Sequence, residues 1–277
     1  MRVTKESFSR LLPSDLQQFE FREKGLKPIL GLTLLCKWGG ITKVVVHWSG
    51  GKECCLALQK VLKQGHQVAY LLSFEYMKPY VFHSFSVMEL QAQTLGIPLK
   101  KAKVKHPYED ILKTLKQLHD QEGIQGIVTG DIAGAGCAIV HSSYYESMCK
   151  EAGLTFIMPN ENPSGDTYDV LKEEVLVAGL RPMLNCINAD FFGEEWLGRI
   201  IDPTSIKDLK VLADEKGIDV CSEDGQGYHS EVIDAPFYKD SIQIDKFKKK
   251  TYKEKSKNWK RNWLYMDIKE TRLKPKP

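Results

Sequence analysis

A Val-rich strand that runs straight into Ser49-Gly50-Gly51-Lys52 and out into a helix constrains this chain more than any other feature. Val44-Val45-Val46-His47-Trp48 is nearly continuous in apolar and β-branched residues, the pattern of a strand buried on both faces of a parallel sheet. Beyond the glycines, Leu56, Leu58, Val61 and Leu62 recur at helical spacing. Gly50 and Gly51 let the backbone take positive φ and let an anion approach without a Cβ in the way. The N–H groups at a helix start, with the positive end of the macrodipole, then form a phosphate site. Ser49 adds a hydroxyl donor and Lys52 a mobile positive charge. The spacing excludes a Walker A loop, which needs Gly-x-x-x-x-Gly-Lys-Ser/Thr. The competing reading is a tight strand–helix turn with a surface lysine.

Strand and helix patterns continue to alternate. A second apolar strand covers His66 to Phe74, and Ser86 to Leu95 reads as a helix closed by Gly96 with Pro98 beyond. A short strand follows at Lys101 to Val104, and a helix at Tyr108 to Gln121 carries Ile111, Leu112, Leu115 and Leu118 on one face. Gly126 to Gly130 reads as a strand, Ser143 to Ala152 as a helix. Such alternation implies a parallel sheet with right-handed crossovers. Asp131 then sits at the carboxyl end of a strand, where ligands of open α/β sheets bind. The Asn-, Pro- and Gly-rich segment Pro159 to Gly165 marks a boundary. Past it come a helix at Asp169 to Ala178, a strand at Arg181 to Ile187, and helices at Glu194 to Ile200 and Ser205 to Lys216. The expectation is an α/β fold: a Rossmann-like parallel-sheet domain over residues 41–158 and a smaller α/β substrate domain over 159–240. An N-terminal extension (1–40) and a basic C-terminal tail (241–277) flank them.

Composition narrows the class. The chain has 277 residues, 42% hydrophobic and 27% charged, which excludes wholesale disorder. Its most apolar early stretch, Ile29 to Cys36, is far short of the roughly 20 residues of a spanning helix, and lacks the flanks of a signal peptide. No membrane role and a cytoplasmic location are expected. Seven cysteines, an odd number at irregular spacing, point to reduced thiols, and the pair Cys54-Cys55 reads as core packing. The net charge of +3 divides into −6 for residues 1–238 and +9 from Lys239 onward. That basic end reads as a solvated, poorly ordered terminus. Trp259 and Trp263, interleaved with Lys257, Lys260 and Arg261, read as an amphipathic helix docked on the body rather than a nucleic-acid stacking surface.

Ser49-Gly50-Gly51-Lys52-Glu53 closely resembles the SGGKD signature of PP-loop ATP pyrophosphatases of the HUP class. More specifically, the chain is similar to the diphthine–ammonia ligase family. Val81-Phe82-His83-Ser84, Glu89-Leu90-Gln91-Ala92 and Leu95-Gly96-Ile97-Pro98 match its F-H-T … E-L-Q-A … L-G-I-P stretch. Gly130-Asp131-Ile132-Ala133 matches G-D-I-A, and Glu194 to Arg199 resembles a further segment. Tyr228-His229-Ser230 and Asp234-Ala235-Pro236-Phe237 are similar to the Y-H-T … D-A-P-L/F end.

The resemblance implies an ATP-dependent amidoligase. It would adenylate a carboxylate, release AMP and pyrophosphate, and transfer ammonia. Lys52, Glu53 and Asp131 are then the catalytic candidates. Ser49, Gly50, Gly51, Lys52, His83 and Gly130 would hold ATP, Asp224, Gly225 and His229 would contact the acceptor, and Glu53 and Asp131 would ligate Mg²⁺. The implied partners are ATP, ammonia and an acceptor, either a diphthine-bearing elongation factor or a small carboxylate; monomer and homodimer both stay open. Departures fall at both ends, and the ATP end is better preserved than the acceptor end. Glu53 stands for Asp and Cys54 for Ser, Gly134 to Ser143 lacks the family's arginines, and Asp224-Gly225-Gln226-Gly227 replaces E-G-G-E. Two other readings therefore remain: a paralogous amidoligase for a small carboxylate, and a non-catalytic adenine-nucleotide-binding protein.

Overall fold

The structure, a computed structural model, describes residues 42–76, 82–132, 138–219, 227–255 and 260–276. The first unit is a five-stranded parallel sheet. It comprises β1 (Lys43–His47), β2 (Gln67–Tyr76), β3 (Leu99–Val104), β4 (Gly126–Val128) and β5 (Thr155–Ile157), in the order β3-β2-β1-β4-β5. The crossovers carry α1 (Lys52–Lys63), α2 (Phe85–Leu95), α3 (Pro107–Glu122) and α4 (Ala138–Glu151). Val44, Val45 and Val46 are fully buried because β1 lies mid-sheet: Val44 and Val46 join one core layer, Val45 the other. The chain reverses direction across the sheet between β1 and β4. The crevice beyond the carboxyl ends of those strands is therefore the topological switch point.

The second unit is antiparallel. Its strands β6 (Arg181–Asn188), β7 (Tyr228–Asp234), β8 (Asp240–Lys255) and β9 (Lys260–Pro275) are ordered β7-β6-β9-β8. Helix α5 (Thr167–Lys172), prolonged by a π-turn over Glu173–Val177, precedes the sheet, and α6 (Pro203–Lys216) lies between β6 and β7. Asp202 caps α6, its carboxylate accepting from Ser205 N at 2.7 Å. The two units share a core. Val170, Leu180, Val232, Ala235, Tyr238 and Ile242 pack with Val44, Trp48, Leu56 and Met88 of the first unit.

Three expectations are corrected. The basic end is not a loose terminus: residues 240–275 form a long hairpin whose inner strand, β9, pairs with β6. Trp263 lies buried in that strand and not on a helix, and Lys257 and Trp259 lie outside the described residues. The lysines have a structural use here. β8 is a sheet edge of 16 residues, and Lys246, Lys248, Lys249, Lys250, Lys253 and Lys255 charge it, which blocks edge-to-edge pairing with other chains. Finally, the helix expected over Glu194 to Ile200 is only a 3-10 turn, Glu194–Trp196. Past it the backbone bonds along β6 instead, with Gly198 N donating to Leu184 O at 2.7 Å and Leu184 N to Arg199 O at 2.9 Å. The extension 1–40 lies outside the described residues.

Candidate active site

The turn after β1 and the turn after β4 meet at the switch point. Gly50 has φ +81°, and a Cβ there would stand 2.7 Å from Gln91 Oε1, so the position takes glycine on both counts. Gly130 lies against the start of α1: a Cβ would fall 2.6 Å from Cys54 N and 2.8 Å from the carbonyl carbon of Glu53. This close approach sets Asp131 beside the loop. Asp131 is half-buried, and its backbone N donates to Thr129 Oγ1 at 2.9 Å. Ser49 Oγ accepts from Gly51 N at 3.4 Å, which tightens the turn, and Cys54 Sγ donates back to Gly51 O at 3.1 Å. Cys54 and Cys55 are buried in the core, as expected.

Lys52 is not a surface lysine. Only 5% exposed, its ammonium ion pairs with Glu53 and lies 3.8 Å from Glu174 Oε2, with the Tyr228 ring centroid at 5.6 Å. A buried ammonium persists only when paired, and Glu53 supplies the pairing. Burial pushes the Glu53 carboxyl up, but Lys52 outweighs it and holds the group below its usual range. Glu174 is 1% exposed, and neither oxygen has a hydrogen-bond partner among the described residues; burial, against the pull of Lys52, lifts it to about 8. A triphosphate entering the loop offers Lys52 a stronger anion than this pair.

The second unit roofs the loop. Val232 N donates to Gly50 O at 3.0 Å. The fully buried amide of Gln91 joins three elements: it accepts from Trp48 Nε1 and donates to Gly50 O and Val232 O, each at 2.9 Å. A Cβ on Gly51 would lie 3.4 Å from each of Glu53 Oε2, His83 Cε1 and Ser230 O. His83 and His229 meet edge to face at 5.6 Å, and His229 stacks on Phe82 at 4.3 Å. Burial, with Lys52 adding to it, lowers His83 to about 4, and burial, with His83 and Lys52 adding to it, holds His229 well below the ordinary imidazole range. Both rings are neutral at physiological pH, suited to packing and hydrogen bonding against a base or sugar rather than to charge pairing.

The structure thus gathers Ser49, Gly50, Gly51, Lys52, Glu53, His83, Gly130 and His229 at one place, with Asp131 on the adjoining turn. Asp224 and Gly225 lie outside the described residues. Three residues escaped the sequence reading of function. Gln91 entered only as part of a motif, and its complete burial in a helix is what marks it. Glu174 looked like one more charge in an expected helix. Asn160, fully buried in the boundary segment, donates from Nδ2 to Glu53 O at 2.9 Å and to Gly130 O at 2.8 Å, tying the two turns together. As for a metal, the described residues contain no group of three or more candidate ligands. Two carboxylates beside a phosphate loop nevertheless fit Mg²⁺ that arrives on the nucleotide, since Mg²⁺ keeps most of its waters and uses one or two carboxylates.

Two family models match: the diphthamide synthase N-terminal domain over residues 42–156 and the C-terminal domain over 166–273. The mouse diphthine–ammonia ligase is 22% identical over 232 residues, covering 73% of this chain and 83% of the mouse protein. That of Schizosaccharomyces pombe is 23% identical over 229 residues, covering 73% of this chain and 36% of the yeast protein. Among solved structures, a predicted tRNA methyltransferase subunit from Methanocaldococcus jannaschii aligns with TM-score 0.39 and 15% identity, over 71% of this chain and 98% of its own. With both domain models matched in order on a PP-loop architecture, the chain belongs to the diphthamide synthase family, a family of ATP-dependent carbon–nitrogen ligases.

Proposed function

We propose that this protein adenylates a carboxylate with ATP and passes the acyl group to ammonia, with the diphthine carboxylate of an elongation factor as acceptor. The observation that carries the reading is the buried Lys52 held at a glycine-rich helix start, at the switch point, under a roof from the second unit. An amide does not form from a carboxylate at neutral pH without activation, and cleavage between the α and β phosphates supplies it. The N–H groups at the start of α1 and the Lys52 ammonium would hold the leaving pyrophosphate and stabilise charge as it develops there. Glu53 and Asp131 would hold Mg²⁺, which when bound neutralises phosphate charge. Neutral His83 and His229 would wall the nucleoside side of the crevice and keep water out.

The acceptor is inferred from the family; the mouse and yeast relatives carry diphthine in their names. The experiment is product analysis. With ATP, Mg²⁺ and ammonium, AMP and pyrophosphate are expected only when the diphthine-bearing factor is added, with one amide formed per AMP. ADP as product contradicts adenylation. AMP formation with small carboxylates and not with the factor moves the acceptor to a small molecule. ATP binding without turnover on any acceptor makes the protein a nucleotide-binding one.

A further inference from the structure

Two buried side-chain oxygens, one on β6 and one on β7, have no hydrogen-bond donor among the described residues. Glu231, on β7, is fully buried. Its Oε1 accepts from Ser84 N, while Oε2 has no hydrogen-bond partner. Asn185, on β6, is 2% exposed; its Nδ2 donates to Phe82 O at 2.6 Å, which fixes the amide orientation and leaves Oδ1 as an acceptor without a donor. The strand register explains the convergence. Met183 pairs with Glu231 and Leu184 with Ser230, then the ladder shifts, and Cys186 pairs with His229. Asn185 is the extra residue of that bulge, and such a residue re-aims its side chain. Both side chains consequently grip the same short segment, at Phe82 and at Ser84, on either side of His83.

A carboxyl and an amide oxygen left unanswered in a protein interior cost about 1–3 kcal/mol apiece, more for the carboxylate. Native structures avoid that cost unless something else binds. Among the described residues no lysine or arginine serves Glu231: burial pushes its carboxyl up to about 8, opposed only by the Ser84 N–H. What fits is a small cation with several N–H donors. The position matches such a role. Ser230, next to Glu231, and His83, next to Ser84, both approach the point 3.4 Å away that a side chain on Gly51 would take.

We propose that Glu231 and Asn185 bind the ammonium ion that supplies the nucleophile, at a site between β6, β7 and residues 82–84. The proposal rests on the ligase reading above. In the step it implies, ammonium held by Glu231 and Asn185 gives one proton to solvent. The freed ammonia nitrogen attacks the acyl carbon of the adenylate, the C–N bond forms, and the C–O bond to the AMP phosphate breaks. AMP leaves with that electron pair, and the nitrogen sheds a further proton to solvent. Ammonium suits the site because it directs N–H donors at two oxygens, whereas a potassium ion of similar size needs a fuller shell of oxygens.

Crystals of the full chain soaked in thallium(I), a monovalent cation of comparable size with strong anomalous scattering, test the binding directly. The expected result is an anomalous peak bonded to Glu231 Oε2 and Asn185 Oδ1 that ammonium displaces more readily than potassium, and that Glu231→Gln abolishes. No peak there, an ordered water that persists in ammonium, or displacement by potassium alone overturns the proposal. In turnover with the acceptor, Glu231→Gln is expected to raise KM for ammonium about tenfold or more, with kcat recovered at saturating ammonium. Loss of kcat that ammonium does not rescue indicates a structural role and also overturns it. If the wild type forms no AMP with any acceptor, the ligase reading falls, while the thallium experiment still decides the cation site.

Discussion

The two sheets contribute to one crevice in opposite ways. The parallel unit offers backbone and contiguous sequence: residues 49–54 and 129–131, held at adjacent strand ends by the sheet order itself. The antiparallel unit offers side chains drawn from separate elements: Glu174 ahead of β6, Asn185 on β6, and His229 and Glu231 on β7. Nucleotide chemistry is thus written locally, whereas the roof exists only once β7 has docked through Val232 N and Gly50 O. A phosphate needs little more than N–H groups and a cation, which any strand–turn–helix can present. An acceptor or an ammonia site needs shape, and shape comes from long-range packing.

Mutations can break this comparison. The largest effect is expected for Lys52→Ala, which removes the cation of the local motif: AMP formation should fall by about 10²–10³-fold or more, and the melting temperature should fall too because Glu53 loses its buried partner. Near wild-type turnover in that variant would show that the loop does not carry the chemistry. Next come the joints between units. Gln91→Leu leaves the Trp48 donor and two carbonyls without their amide, so chemical denaturation should show a loss of about 2–4 kcal/mol, with nucleotide affinity falling as the loop loosens. Gly130→Ala drives a methyl into the first turn of α1 and should cost about 1–3 kcal/mol together with nucleotide affinity, measured by calorimetry.

Glu174 sharpens the comparison through pH. Its folded-state pKa, about 8, lies above the ordinary carboxylate value, so between those two values the native state holds a proton that the unfolded chain does not. Stability should therefore fall as pH rises from about 5 to 8, and Glu174→Gln should flatten that part of the profile in a Tm series. The smallest effect is expected at the exposed Lys249–Glu194 pair, which joins the hairpin to the 3-10 turn: Glu194→Ala should cost less than about 0.5 kcal/mol.

How much the sequence disclosed follows the same division. The central strands β1, β2 and β4 were legible as dense apolar runs, and two helices ended on glycines, Gly96 and Gly123; the edge strand β3, with three lysines, was read only as a short strand. The three-residue β5, half-buried throughout, gives no such run. The hairpin was misread because lysines at an edge look the same in sequence as lysines in a solvated tail; Trp263 is buried only because β9 finds β6 some 75 residues away. The turn at Glu194 carried a helix-like charge pattern that pairing along β6 overrode. Gln91 and Asn160 were unreadable as site residues for a related reason. Their roles lie in hydrogen bonds to backbone far along the chain, and no local pattern encodes them.

The most direct test of the account is a crystal structure of the full chain with a non-hydrolysable ATP analogue and Mg²⁺. The account predicts the β and γ phosphates on the N–H groups of residues 50–53, with the Lys52 ammonium moved off Glu53 and Glu174 onto a phosphate oxygen and the adenosine toward His83. Phosphates bound away from this turn, or a Lys52 still paired with both carboxylates in the occupied site, would contradict it.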